Sequence, residues 1–138
     1  MISIDIPPSE LHSRDAVINF YRILQAWDSN KSTPNDDDKL YLYEHSKNSK
    51  LIAKKVAIYF RHWMNDIETK MDRIDPIHRL NLAVLLRVSG NLEESLIISD
   101  FINEPQSKFP CSQHTRAMIC CNRAATFLDK FEKETYSH

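Results

Sequence analysis

Leu11, Val17, Phe20, Tyr21, Leu24 and Trp27 recur at helical spacing and predict a first helix over residues 9–28, with Ser9 as its N-cap. Ahead of it, Pro7 and Pro8 impose an extended lead-in over residues 1–8. The stretch from Asp28 to Asn35, with Ser32, Thr33 and Pro34, reads as a loop. Asp36, Asp37 and Asp38 come next, where a helix N-terminus welcomes negative charge. A second helical region runs from about Lys39 to Arg73, with a break near Ser46–Ser49. At 100° per residue, Ile52, Val56, Tyr59, Phe60, Trp63 and Ile67 fall within an arc of about 100°, a predicted core face.

Asp75 and Pro76 mark the next start, because proline at the first helical position loses an N–H that has no partner anyway. The helix from Pro76 to Val88 carries Ile77, Leu80, Leu82, Ala83, Val84, Leu85, Leu86 and Val88. It is apolar nearly all round, so it is expected to be buried between neighbours. Gly90-Asn91 supplies the C-cap. A helix from about Leu92 to Asn103 follows, then a loop through Pro105 and Pro110. The last helix spans about Ser112 to Lys133, and residues 135–138 form a frayed tail. The pattern predicts one all-α domain over residues 1–138, with five or six helices in an orthogonal or antiparallel bundle.

Composition narrows the chemistry. Among 138 residues there is one glycine, where average usage near 7% gives about ten. A glycine-rich phosphate loop, a dinucleotide fingerprint and a nucleophile elbow are therefore excluded. The longest apolar runs, such as Val56–Phe60 and Leu82–Leu86, are five residues long, and a membrane helix needs about 20. No membrane association is expected, and Met1–Pro8 lacks the basic and apolar regions of a signal peptide. Cys111, Cys120 and Cys121 are odd in number and fall within eleven residues, which suits a reducing compartment and a cytoplasmic location.

Cys111 and His114 approach metal-ligand spacing, but Cys120 and Cys121 are adjacent and point about 100° apart on a helix. The better expectation is that the cysteines are buried small hydrophobes. His62 and Asp66 stand at i, i+4, and Asp75 and His78 at i, i+3. Neither forms the converging pair that acid–base catalysis requires. No enzyme activity, cofactor or metal is expected.

Between His45 and Met64 lie five cations and no acid: Lys47, Lys50, Lys54, Lys55 and Arg61. Lys47, Lys50, Lys54 and Arg61 gather opposite the apolar arc, with Lys55 near its boundary and Leu51 and Ile58 beside them. Such a stripe is ordinarily a solvated face. Its functional readings are an acidic protein partner first and nucleic acid second, since the net charge is -1 and no aromatic residue interleaves for stacking.

The stretch Asn81–Leu96, NLAVLLRVSGNLEESL, resembles a tetratricopeptide repeat. Ala83 stands where that family has a small residue, Gly90 at its turn, and Ser95 at the small position five residues later. Asn122–Phe127 is similar to the first helix of another repeat, with Ala124 and Phe127 at the small and aromatic positions. Ala83 and Ala124 are 41 residues apart, against a usual period of 34. Arg79 replaces the family's early aromatic, and Ile102 a small residue of the second helix. The resemblance covers residues 76–134 and implies a binding scaffold with a concave groove. It implies that Leu80, Val84, Arg87, Cys121, Ala125 and Leu128 face that groove, which either the N-terminal helices or a partner would fill. The expected function is a non-enzymatic protein–protein interaction module, an adaptor, chaperone or regulator, with homodimerisation through an uncovered last helix. The alternative is a small helical nucleic-acid-binding regulator using the basic stripe.

Overall fold

In a computed structural model, residues 14–28, 34–66, 75–100 and 112–136 are described. They form six helices and no strand: α1 (Arg14–Asp28), α2 (Asp36–Glu44), α3 (Lys50–Asp66), α4 (Pro76–Val88), α5 (Leu92–Asp100) and α6 (Gln113–Tyr136). The lead-in, Leu11, Ile67 and the loop through Pro105 and Pro110 lie outside the described residues. The protein is all-α, and each helix packs against at least one other.

Local chemistry sets the helix ends. Asn35 caps α2 by accepting the Asp38 N–H at 2.8 Å, and the three aspartates occupy the positive end of the helix dipole. The break between α2 and α3 falls where serines compete for backbone bonds. Ser46 turns its hydroxyl back onto the Leu42 carbonyl, and Ser49 accepts the Ile52 N–H at 3.3 Å. Asp75 accepts the Ile77 N–H at 3.0 Å, with Pro76 just inside the helix.

α4 ends in a full Schellman motif. The Gly90 N–H donates to the Arg87 carbonyl at 3.0 Å, and the Asn91 N–H to the Leu86 carbonyl at 2.8 Å. Closing both bonds puts Gly90 at φ +93°, a region costly to any residue with a Cβ. A Cβ at Gly90 would meet nothing closer than the Lys50 side chain at 3.8 Å, so the strain is in the backbone alone. Gly90→Ala is expected to cost about 1–2 kcal/mol, read as a lower urea midpoint with an unchanged slope.

The main core lies between α1, α2, α3 and α4. Phe20, Ile23, Leu24 and Trp27 of α1 meet Leu42 of α2, Ile52, Val56, Tyr59 and Phe60 of α3, and Leu82, Leu85 and Leu86 of α4. The Trp27 ring lies 5.6 Å from those of both Tyr59 and Phe60, tilted to one and edge-on to the other. Trp63 closes the α3 arc half-buried. α4 is buried on nearly every side, as its sequence requires, and this includes His78, Arg79 and Asn81.

A second, smaller cluster forms on the other side of α4, where Leu80, Val84 and Ile77 meet Ile119 of α6. The three-residue turn at 89–91 folds α5 back antiparallel to α4. Leu80 meets Ile119 near the start of α6, while Arg87 meets Asp129 near its end, so α4 and α6 run parallel.

Candidate interaction surface

What orients α6 is polar. The Ser95 hydroxyl donates to the Ala83 carbonyl at 2.6 Å, tying α5 to α4. The Asn122 amide donates to that same Ser95 oxygen at 3.3 Å, and its carbonyl oxygen accepts the Arg87 Nε–H at 2.9 Å. Arg87 also reaches the Asp129 carboxylate at 3.6 Å. Thr126, fully buried one turn on, donates to the Asn122 carbonyl at 2.6 Å. At the outer edge Lys130 pairs with Glu93 of α5, which lifts the lysine's pKa above its ordinary value. One buried seam therefore joins three helices, and every bond in it carries a direction. It fixes the rotation of α6 about its own axis.

That rotation turns α6 inside out. Its inner face holds Ile119, Asn122 and Thr126, and its large apolar side chains point to solvent. Met118, Phe127, Leu128 and Phe131 are 43%, 52%, 57% and 64% exposed, values normal for lysines and unusual for four neighbours of this kind on one helix. Between and before them lie Ala117, Cys120, Cys121 and Ala124, also exposed. On a helical projection these positions span an arc of about 180°, and between residues 117 and 131 no charged residue falls inside it. Contiguous exposed apolar surface makes this face the candidate interaction surface.

The residues singled out in the sequence divide accordingly. Leu80 is buried against Ile119, Val84 packs beside it, and Arg87 is held in the polar seam. Ala125 is half-buried at the margin of α6, while Cys121 and Leu128 lie in solvent. The structure thus brings the three α4 residues against α6 and leaves two of the three α6 residues uncovered. The expectation of buried cysteines is corrected for Cys120 and Cys121, which are free and exposed. Ile119 and Asn122 take the inward positions on either side of them. Cys111 lies outside the described residues, and among those described no three His, Cys, Asp or Glu side chains could hold a metal ion.

The basic stripe is partly neutralised. Lys47 pairs with Glu44 at 2.8 Å, which raises its pKa, and Arg61 with Glu94 of α5 at 2.7 Å. Lys50 lies beside Gly90, Lys54 is exposed, and Lys55 is half-buried. Arg61 therefore acts within the fold, holding α3 to α5.

A second buried polar cluster sits where α2, α3 and α4 meet. His78 Nε2 lies 3.0 Å from Asp36 Oδ1, and the ring meets Trp63 edge-on at 5.6 Å. Lys39, itself buried, sets its ammonium 4.1 Å over the Trp63 ring and 3.5 Å from Asp36. The helix-local pairing of His78 with Asp75 gives way to this partner 42 residues distant, because Asp75 is spent as a cap. His78 Nδ1 and the Asn81 amide nitrogen are buried without a hydrogen bond. Burial first, then the Lys39 charge, lowers the His78 pKa, while Asp36 opposes both. The hydrogen bond from His78 lowers the Asp36 pKa.

No described helix is long and apolar enough to cross a membrane. No known protein family, characterised protein or solved structure matches the chain.

Proposed function

We propose that this protein is a non-enzymatic protein–protein interaction module whose docking element is the outer face of α6. The observation that carries the reading is the uncharged, uncovered arc from Ala117 to Phe131 on a helix whose inner face is the mixed one of Ile119, Asn122 and Thr126. Burying Phe127, Leu128 and Phe131 against a partner would supply about 1.5–3 kcal/mol each, the scale of interface anchors. The tetratricopeptide resemblance supports the same reading, since α6 packs parallel to α4 as successive first helices of stacked units would. The cytoplasmic assignment rests on the odd cysteine count.

Nucleic-acid binding through Lys47, Lys50, Lys54, Lys55 and Arg61 is the weaker reading, because Lys47 and Arg61 already hold carboxylates. The two are separated by immobilising the full chain in nuclease-treated extract of its native cells. A retained protein, lost with Leu128→Glu and kept with Lys54→Glu, is the expected result. Recovery of nucleic acid that disappears with Lys50→Glu and Lys54→Glu would overturn it.

A further inference from the structure

The outer face of α6 is graded along its length in both size and charge. Along its centre the N-terminal half presents Ala117, Cys120 and Cys121, and the C-terminal half Phe127, Leu128 and Phe131, with Ala124 at the midpoint and Met118 at the margin. Exposed charges that border its two ends differ in sign. Arg116 lies at the start, and Glu132 and Glu134 at the end. We propose that α6 pairs with α6 of a second copy of this chain, antiparallel, about a two-fold axis at Ala124. The inference rests on the interaction-module reading and names the occupant of its docking face.

The argument is one of complementarity under a symmetry operation. A two-fold axis at Ala124 sets position i level with position 248 − i of the partner copy. Ala117 then lies level with Phe131 and Cys120 with Leu128, so each large side chain meets a small one, and Ala124 meets its own counterpart. Small residues at the centre allow the helix axes to approach to about 8 Å. A parallel pairing would stack Phe131 on Phe131 and leave voids at Ala117 and Ala124.

Charge selects the same arrangement. At 100° per residue, Arg116 and Glu134 share one flank of the face, and His114 and Glu132 the other. In the antiparallel pair one flank carries residues of opposite sign within two positions of the same height, Arg116 with Glu134 of the partner copy. Symmetry doubles that pair. A parallel pair would bring opposite flanks together and set Glu134 beside Glu132 of the partner copy. Opposed helix dipoles add to the preference. The contact is isologous, so it closes at two copies rather than propagating. Its apolar part is about 21 Å long, which suits a reversible dimer better than an obligate one.

The first measurement is the mass of the purified full chain by sedimentation equilibrium. At about 100 µM a weak but specific interface of this class is occupied, and a mass twice 16.2 kDa is expected. Register is read separately, in a chain carrying Cys111→Ser, Cys120→Ser and Cys121→Ser. Ala124→Cys in that background should form a disulfide-linked dimer on mild oxidation, while Arg116→Cys should not. Glu134→Arg should weaken the dimer at least tenfold, and adding Arg116→Glu should restore it. A monomer at that concentration overturns the proposal, as does a dimer that links through Arg116→Cys instead of Ala124→Cys. A monomer whose partner capture is still lost with Leu128→Glu defeats self-pairing alone. A monomer whose capture ignores Leu128→Glu defeats the interaction reading as well.

Discussion

Asn122→Ala lowers the stability of the fold by about 2–3 kcal/mol, although it removes only a small amide. The loss has three sources. Arg87 gives up the acceptor for its Nε–H, a hydrogen bond to a charged group. Ser95, itself fully buried, gives up a donor. Truncation also removes, between α4, α5 and α6, the packing of a side chain that is 4% exposed. The cost is expected to appear as a fall in melting temperature of roughly 4–12 °C for a chain of this size. Amide exchange should place it in α6 first, since the bonds lost are those that join α6 to α4 and α5. Ile97→Ala is the control. It deletes a larger, apolar side chain from α5 that is 54% exposed, and it should change stability by less than about 0.5 kcal/mol. If Ile97→Ala proved the more damaging of the two, the seam would not be what holds α6.

Acid is expected to unfold this protein earlier than its net charge suggests, and His78 is the reason. In the unfolded chain the imidazole binds a proton as the pH falls through about 6.5. In the folded chain burial and the Lys39 ammonium hold its pKa below that value. The unfolded state therefore binds more protons below pH 6.5, and stability falls with pH from there down to the folded pKa. Above about pH 7.5 both states are neutral at this ring, and it contributes no pH dependence.

The geometry gives the same sign. A neutral ring donates from Nε2 to Asp36 and leaves Nδ1 as a bare acceptor. A protonated ring would bury an Nδ1–H with nothing to receive it. Asp36, with its pKa lowered by the His78 hydrogen bond, extends the loss of stability below pH 3.8. Denaturant titrations from pH 8 to pH 5 should show a slope of at most about 1.4 kcal/mol per pH unit, the limit for one proton. His78→Gln, which cannot titrate but can still donate to Asp36, should flatten it. An unchanged slope in that variant would move the effect elsewhere.

Much of the helical architecture could be read from the chain. Helix ends carry short-range signals, and those signals acted locally here. Asn35 and the three aspartates start α2, Asp75-Pro76 starts α4, and Gly90-Asn91 ends it with both Schellman bonds. The α3 arc from Ile52 to Trp63 found the core because a 3.6-residue period and a single apolar stripe leave one favourable orientation. Ser95, noted for its size, is also the hydroxyl that joins α5 to α4.

α6 was harder for a definite reason. Its sequence offers two candidate inner faces, an apolar one through Cys120, Ala124, Phe127 and Phe131 and a mixed one through Ile119, Asn122 and Thr126. Hydrophobic periodicity favours the first. The second wins because Asn122 stands within reach of Ser95 and Arg87 on two other helices, while Thr126, one turn on, satisfies its hydroxyl on the Asn122 backbone carbonyl. That match of donors to acceptors does not exist until α4 and α5 are in place. His78 gave the same lesson, since Asp36 becomes its neighbour only when α2 and α4 meet.

The amino-acid sequence by itself thus determined the helical class, the caps and breaks, the apolar stripe of α3, and the exclusion of every chemistry that needs glycine loops. These depend on residues within a few positions of one another. Tertiary structure alone decided which side of α6 is turned to the core, which cations of the basic stripe are already paired, and which carboxylate His78 meets. Those outcomes depend on directional bonds between residues up to 42 positions apart. A buried hydrogen bond is made or lost according to geometry, not composition, and here it outweighed the hydrophobic pattern along α6.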